Sequence, residues 1–464
     1  MDLLINIAYL FAAIGFILGL KLMGNPSKAK LGNYFAATGM VIAIGATAVL
    51  ILSNSPKIPN VIFLIAALTI GTILGRIMAY KVEMTGMPQL VSLFNALGGA
   101  AALIISINEA VINIDSPLSL MANIALGLGA ILGGIAFTGS IVAYFKLANK
   151  FNIGNQNAAK IISRVLLLAI VSITVLFFST NLLNVSFLNY LLVISVVSLL
   201  YGIVFTVPIG GADMPVLVSF LNAITGVATA FSGIAFDSPI MLIGGILVGA
   251  TGVYLTMQMC TAMNRSLGVV LAGKITSGDV PEGVNSDIEV QRISAVETAS
   301  LLAFSKKVAV IPGYGMAVAQ AQQACYELQK KLIEKGAELT YIIHPVAGRM
   351  PGHMNVLLAE ANIDYKYIKD MVDVNDVMEQ FDAAIIIGAN DVVNPAAEID
   401  ENSVIYGMPI IKAYQAKQVI MMKRGMAAGY SGAVNPLFGR SNCKILFGDA
   451  KDSLTKIIDE LKNI

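Results

Sequence analysis

Val308-Ala309-Val310-Ile311-Pro312-Gly313-Tyr314-Gly315-Met316-Ala317-Val318 decides the fold of the second half of this chain. An apolar run of strand character stops at Pro312. Gly313 and Gly315 follow in a GxGxx-small pattern, and helical character continues over Met316–Lys335. Strand, glycine turn and helix in that order are the context of the dinucleotide-binding fingerprint. Glycines let a backbone approach a pyrophosphate, and a helix N-terminus attracts its charge.

Further along, the same alternation repeats. Strands are expected at 337–343, Ala383–Ile387, Gln418–Met422 and 444–447, with a closing helix over 450–461. Short apolar strands between amphipathic helices imply a parallel sheet covered on both faces. An NAD site usually carries an acid after the second strand. Here that strand runs into His344-Pro345-Val346-Ala347-Gly348-Arg349, with no acid. Val419–Met422 instead ends in Lys423-Arg424, then Gly425 and Gly429-Tyr430-Ser431-Gly432. A cation pair on a glycine loop suits an extra phosphate, so NADP(H) is favoured over NAD(H). The alternative is a solvated charged edge. Gly388-Ala389-Asn390-Asp391-Val392-Val393-Asn394-Pro395 follows another buried strand. Asp391 is read either as the N-cap of a short helix at Pro395 or as a titratable switch beside the nucleotide.

Outward toward the N-terminus the composition changes. The 464 residues are 56% apolar and 13% charged, with mean hydropathy +0.77. An ordinary soluble domain is about 45–50% apolar and about 25% charged. Residues 1–264 hold ten Lys/Arg and six Asp/Glu, and the remainder twenty and twenty-three. The expected organisation is a membrane domain over 1–264, a linker over 265–305 carrying a helix near 287–304, and a nucleotide domain over 306–464. Nine apolar runs suit spans, near 2–22, 33–52, 60–80, 88–110, 119–145, 162–180, 184–208, 214–236 and 239–260. The fold class is thus an α-helical polytopic membrane domain followed by an α/β doubly wound, parallel-sheet (Rossmann-like) domain. Basic residues cluster on odd-numbered connections, with Lys57 alone on the even ones. That puts the N-terminus outside and the nucleotide domain in the cytoplasm. Cys260, Cys325 and Cys443 are isolated, and no metal spacing occurs. A net charge of +1 gives no reason to expect nucleic acid.

Met87-Pro88-Gln89-Leu90-Val91-Ser92-Leu93-Phe94-Asn95 recurs as Met214-Pro215-Val216-Leu217-Val218-Ser219-Phe220-Leu221-Asn222. Each copy places an Asn two turns into a span. Matched buried amides read as a polar path or as interhelical hydrogen bonding. No ionisable group stands at the centre of any span, so Asp213 and Arg265 are the candidates for gating charges at the cytoplasmic mouth. Gly127, Gly129, Gly133, Gly134 and Gly139 read as close helix packing.

These motifs, with Lys81-Val82-Glu83-Met84-Thr85, Gly211-Ala212-Asp213, Met263-Asn264-Arg265-Ser266 and Met350-Pro351-Gly352-His353, resemble the beta subunit of proton-translocating NAD(P) transhydrogenases over nearly the whole chain. The resemblance implies NADP(H) on this chain, held in reversed orientation, and NAD(H) on a separate alpha subunit. It also implies Re/Si-specific hydride transfer active only with that partner, a dimer of alpha–beta units, and a bacterial inner (plasma) membrane. By motif match, nucleotide contacts fall at Tyr314, at Val346, Ala347, Gly348, Arg349, Met350 and Pro351, and at Gly388, Ala389, Asn390, Asp391 and Val392. They continue at Gly407 and Met408, through Lys423, Arg424, Gly425, Met426, Ala427, Ala428, Gly429 and Tyr430, and at Asp449 and Ala450. The proton path includes Asn95, Asn222 and Asp213. Some members carry His at the position of Asn95, so a protonatable imidazole is not essential there.

The residues constrain the chemistry too. One fingerprint without a flavin, haem or metal motif holds one nucleotide, and a partner must present the second. The hydride step needs orientation rather than an acid or base. Asp391 is then the candidate that couples nucleotide state to proton movement. A channel that senses NAD(H) would carry an acid after the second strand. A transmembrane haem reductase would carry paired His in its spans. Neither feature occurs.

Overall fold

The computed structural model describes residues 2–25, 28–53, 58–82, 86–114, 118–148, 150, 156–179, 186–210, 213–273, 289–348, 352–427, 429 and 431–464. Among them are nine helices long and apolar enough to cross a membrane. They are α1 Asp2–Met23, α2 Ala29–Ser53, α3 Ile58–Lys81, α4 Met87–Ile112, α5 Leu120–Leu147, α6 Gln156–Ser179, α7 Phe187–Thr206, α8 Met214–Ala235 and α9 Pro239–Ala262. The chain forms two compact units: Met1–Ile209 with Leu217–Thr256, and Gly210–Val216 with Met257–Ile464.

In the first unit α5 is the most enclosed helix. Side chains in lipid gain nothing by turning inward, so close approach of small residues holds helices together. A Cβ on Gly133 would lie 2.8 Å from Gly99 O, so α4 and α5 touch backbone to backbone. Gly127 faces Tyr190, Gly134 faces Ser198, and Gly139 faces Leu221 and Thr206. The expected packing role of these glycines holds. Lys146, in the last turn of α5, donates to the Thr206, Val207 and Ile209 carbonyls and so caps the C-terminal end of α7.

The second unit continues with α10 Leu267–Leu271, β1 Gln291–Arg292, α11 Ala295–Ala303, β2 Lys307–Pro312, α12 Tyr314–Val318, α13 Gln322–Glu334, β3 Glu338–Ile343 and α14 His353–Glu360. It ends with β4 Ile368–Asp370, α15 Met371–Val374, β5 Ala383–Ile387, α16 Ala396–Ile399, β6 Gln418–Lys423, β7 Cys443–Phe447 and α17 Ala450–Asn463. All seven strands are parallel, in the order β1-β7-β6-β5-β2-β3-β4. Omitting β1, this is the doubly wound order, with the chain reversing direction between β2 and β5. Ile385, Ile386 and Ile387 are fully buried, which their unbroken apolar run requires. Asp382 pins the strand starts. Its carboxylate accepts Lys417 Nζ at 2.7 Å and the Lys306 and Lys307 amides at 2.8 and 3.0 Å. Those bonds, Lys417 first, hold its pKa down at about 2.

Three details differ from the sequence reading. The helix expected over Met316–Lys335 is two helices, because the chain breaks at Gln320 (φ 50°). The helix expected near 287–304 is Ala295–Ala303 among the described residues, started by a Ser294–Glu297 capping box. β1 and β4 extend the sheet at both edges although neither was expected.

Candidate functional site

The carboxyl ends of β2 and β5 meet at the chain-reversal point. Gly313 N donates to Ile387 O and Gly315 N to Gly388 O, both at 2.9 Å. A Cβ on Gly315 would lie 2.6 Å from Gly388 Cα, and one on Gly388 would overlap Gly315. Gly388 also has φ +62°, where a side chain is strained. The fingerprint glycines therefore serve first to press two loops together. Their amides donate to the second loop.

Beside this contact is a cavity of about 280 Å³. It brings together Gly315, Gly388, Ala389, Asn390, Lys423, Arg424, Gly425, Ala427 and Ala450, with Val318, Met422 and Gly448. Among the described residues, no neighbour lies within 4 Å of where a Cβ on Gly425 would stand. Lys423 is drawn back. Its Nζ donates to Ala427 O at 2.9 Å and stands 4.4 Å over the Phe438 ring. Burial lowers its pKa, while Asp391 opposes that shift. Arg424 pairs with Asp449 at 2.9 Å, with its side chain 63% exposed. The cation pair is thus one half-buried lysine and one solvated arginine. Gly313, Tyr314, Val346, Ala347, Gly348, Val392, Gly407, Met408, Met426 and Gly429 lie outside this lining. Met408 belongs to a core with Ala397, Ile405, Ile410 and Ala433. Arg349, Met350, Pro351, Ala428 and Tyr430 fall outside the described residues, as do Glu83, Met84, Thr85, Gly211 and Ala212. A second cavity of about 300 Å³ lies between β1 and β7, away from the reversal point.

Asp391 is not the N-cap of α16. That position is Pro395, and Asn394 closes the turn leading into it, its Oδ1 accepting Ala396 N at 3.0 Å. Asp391 Oδ2 instead accepts Ser431 N at 2.8 Å, and Gly429 packs directly against the carboxylate. Burial raises the Asp391 pKa, partly offset by the Ser431 bonds, Lys423 and Asn390. Asn435 Nδ2 donates to Asn390 Oδ1 at 3.0 Å, and Asn394 Nδ2 to Val434 O at 3.0 Å. Both Asn394 and Asn435 are fully buried. They lace the 390–394 and 427–435 loops together. The signal that could have marked them is the Asn-Pro pair each one opens.

The turn after β3 is fixed by His344. Its Nδ1 accepts Val346 N at 3.2 Å, so its Nε2 carries the hydrogen and donates to Pro409 O at 2.7 Å. Burial pushes its pKa down to about 4, so it is neutral near pH 7. Gly407 N donates to Ala397 O at 2.8 Å, and Asn264 Nδ2 donates to Tyr406 O at 3.2 Å.

A family model described as NAD(P) transhydrogenase beta subunit matches residues 5–460. The chain belongs to that family. It is 40% identical over 463 residues to the NAD(P) transhydrogenase subunit beta of Rhodospirillum rubrum, covering 98% of each chain. A second Rhodospirillum rubrum sequence of that name gives the same figures. Membership gives a transhydrogenase role that uses nicotinamide nucleotides, and the beta designation implies an alpha-subunit partner.

The polar groups named as a path divide between the two units. In the first, Asn95 Nδ2 donates to Ser140 Oγ at 2.8 Å, joining α4 to α5. Its Oδ1 is buried with no partner among the described residues. Asn222 is half-buried on α8, and its amide does not bond Asn95. In the second unit, Arg265 grips Asp213 through both carboxylate oxygens, at 3.0 and 3.1 Å. Burial raises the Asp213 pKa and Arg265 opposes it. At 8% and 19% side-chain exposure this is a largely buried pair.

Proposed function

We propose that this chain binds NADP(H) in the cleft at the β2–β5 reversal point and couples that binding to proton passage through its helix bundle. Hydride then passes between NADP(H) here and NAD(H) held by the alpha subunit. One observation carries the reading. A glycine-lined cavity at the reversal point receives Lys423 from the end of β6 and Arg424 just after it, while β3 is followed by His344 rather than an acid. The open backbone at Gly425 and these two cations fit a phosphate-bearing nucleotide, with Lys423 and Arg424 taking the extra phosphate. The nucleotide supplies the hydride carrier. The chain supplies position, through the interlocked loops, and a titratable group beside them, Asp391.

Asn95, Asn222, Asp213 and Arg265 serve the proton path in this reading. The N-terminus lies outside, the nucleotide unit in the cytoplasm, and the membrane is the bacterial inner membrane. Two alpha–beta units pair, and exchange is Re/Si-specific. The drive is adequate. One charge crossing about 150–200 mV releases about 3.5–4.6 kcal/mol, several hundred-fold or more in an equilibrium. The test is fluorescence titration of the full chain in detergent with NADPH and NADH. NADPH should bind at least about tenfold more tightly, the value of one charge-assisted phosphate contact. Equal affinity would overturn the assignment of NADP(H) to this chain.

A further inference from the structure

Asn95 and Asn222 leave the outer half of the bundle without assigned polar groups. α8 supplies them. Asn222, Thr225, Thr229 and Ser232 recur at spacings of three, four and three residues, so they share one helix face. Ten residues at about 1.5 Å each carry that face about 15 Å along the axis, half of a bilayer core of about 30 Å. The face is turned inward. Thr225 is 8% exposed and Ser232 fully buried, and a Cβ on Gly98 of α4 would lie 2.9 Å from the Thr225 methyl. At its far end α5 makes room. A Cβ on Gly129 would lie 2.8 Å from Ser106 Oγ of α4 and 3.6 Å from Ser232 Oγ of α8. Gly129 is thus the place where three helices converge on two fully buried hydroxyls. One turn beyond Ser106 stands Glu109, whose Oε1 accepts Asn113 Nδ2 at 2.8 Å.

The hydroxyls share one electrostatic character. Thr229 donates to Thr225 O at 2.9 Å, Ser232 to Ala228 O at 3.1 Å, and Ser106 to Ala102 O at 2.9 Å. Each hydrogen is used within its own helix, so the lone pairs remain for a water or hydronium donor. A lining of acceptors favours a positive species over an anion, and it does so without a buried carboxylate.

We propose that Thr229 on the inward face of α8, with Ser232 and Ser106 where they meet at Gly129, forms the outer half of the proton path and that Glu109 is its outer mouth. The proposal rests on the proton-coupling reading above and adds the residues that extend it outward.

The test uses the complete alpha–beta complex in liposomes, with an entrapped pH-sensitive dye, hydride exchange recorded in parallel, and NADPH binding as the control for folding. In Thr229→Val/Ser232→Ala, proton movement should fall about tenfold or more, since each step loses an acceptor. Thr229→Ser, which keeps the hydroxyl, should stay near the unaltered rate. Gly129→Ala should also slow proton movement, because its methyl enters the space between the two serines. If the unaltered complex moves protons and the double variant moves them equally fast, the path proposed here is wrong while the coupling reading stands. Hydride exchange without any proton movement in the unaltered complex overturns both. Ser232→Ala alone, expected to show a smaller slowing, gives the same decision should the double variant fail to assemble.

Discussion

The two units solve the same packing problem in opposite ways. In the first, Gly99 and Gly133 let helices touch backbone to backbone, and the Ser106, Thr229 and Ser232 hydroxyls bond back within their own helices, while Ser92 and Thr138 reach across to a neighbour. In the second, Gly315 and Gly388 let two turns touch, and side chains bond across from loop to loop. Self-bonded hydroxyls leave acceptor lone pairs facing the bundle interior, which suits conduction. Cross-bonded loops have few places to give way, which suits switching. Asp391 is the titratable member of the latch between the 390–394 and 427–435 loops. On the proposed reading, the contrast teaches that conduction would be spread over many small groups, whereas the switch would concentrate in a few.

That contrast can be broken by substitution, and the largest effects belong to the second unit. Gly388→Ala should destabilise it by about 4 kcal/mol, because the position combines positive φ with a backbone clash. Denaturant unfolding followed by a probe in this unit measures it. Arg265→Ala leaves the Asp213 carboxylate buried without its partner and should cost about 3 kcal/mol, also read by denaturant unfolding. Arg265→Lys should recover only part of this, since an ammonium is more strongly hydrated than a guanidinium and costs more to bury.

His344 sharpens the comparison by pH. Its folded pKa, near 4, lies below the ordinary value of about 6.5. The stability it secures is complete above pH 6.5 and drains as pH falls toward 4, by about 3 kcal/mol at most. His344→Gln keeps a donor for Pro409 and should flatten this slope in melting curves taken between pH 7.5 and 4.5. A smaller effect is expected at Lys423. Lys423→Ala should weaken NADPH binding about tenfold and NADH binding little, reading out the extra-phosphate contact.

Much of this architecture is legible in the sequence, for identifiable reasons. Nine spans are visible because each needs about twenty apolar residues in a row. β2 and β5 are visible because strands buried on both faces carry unbroken aliphatic runs. β1 and β4 are not. Gln291-Arg292 and Ile368-Lys369-Asp370 are too short and polar, and they become strands only because a formed sheet offers them an edge. The break at Gln320 was equally hidden, since nothing in Ala319-Gln320-Ala321 disfavours a helix locally. At the site, the Gly313–Gly315 motif marked the right turn, but not that its amides bond to Ile387 and Gly388. The matched Asn95 and Asn222 repeat marked two polar positions, and Asn95 does bond between helices, to Ser140 of α5, a partner the repeat did not indicate. Pairings between helices are set by packing, which a single sequence does not record.

The central claim is that proton and nucleotide affect one another, with Asp391 as the link on the nucleotide side. Burial raises the Asp391 pKa, and a charged carboxylate disfavours a phosphate-bearing ligand beside it. The neutral form therefore binds more tightly, and affinity should fall as pH rises through the Asp391 titration. The direct measurement is the NADPH dissociation constant of the full alpha–beta complex from the ordinary carboxylate range of about pH 4 upward, for the unaltered chain and for Asp391→Asn. The account predicts weakening with rising pH in the unaltered chain and a flat profile in the variant. The same slope in both would contradict it.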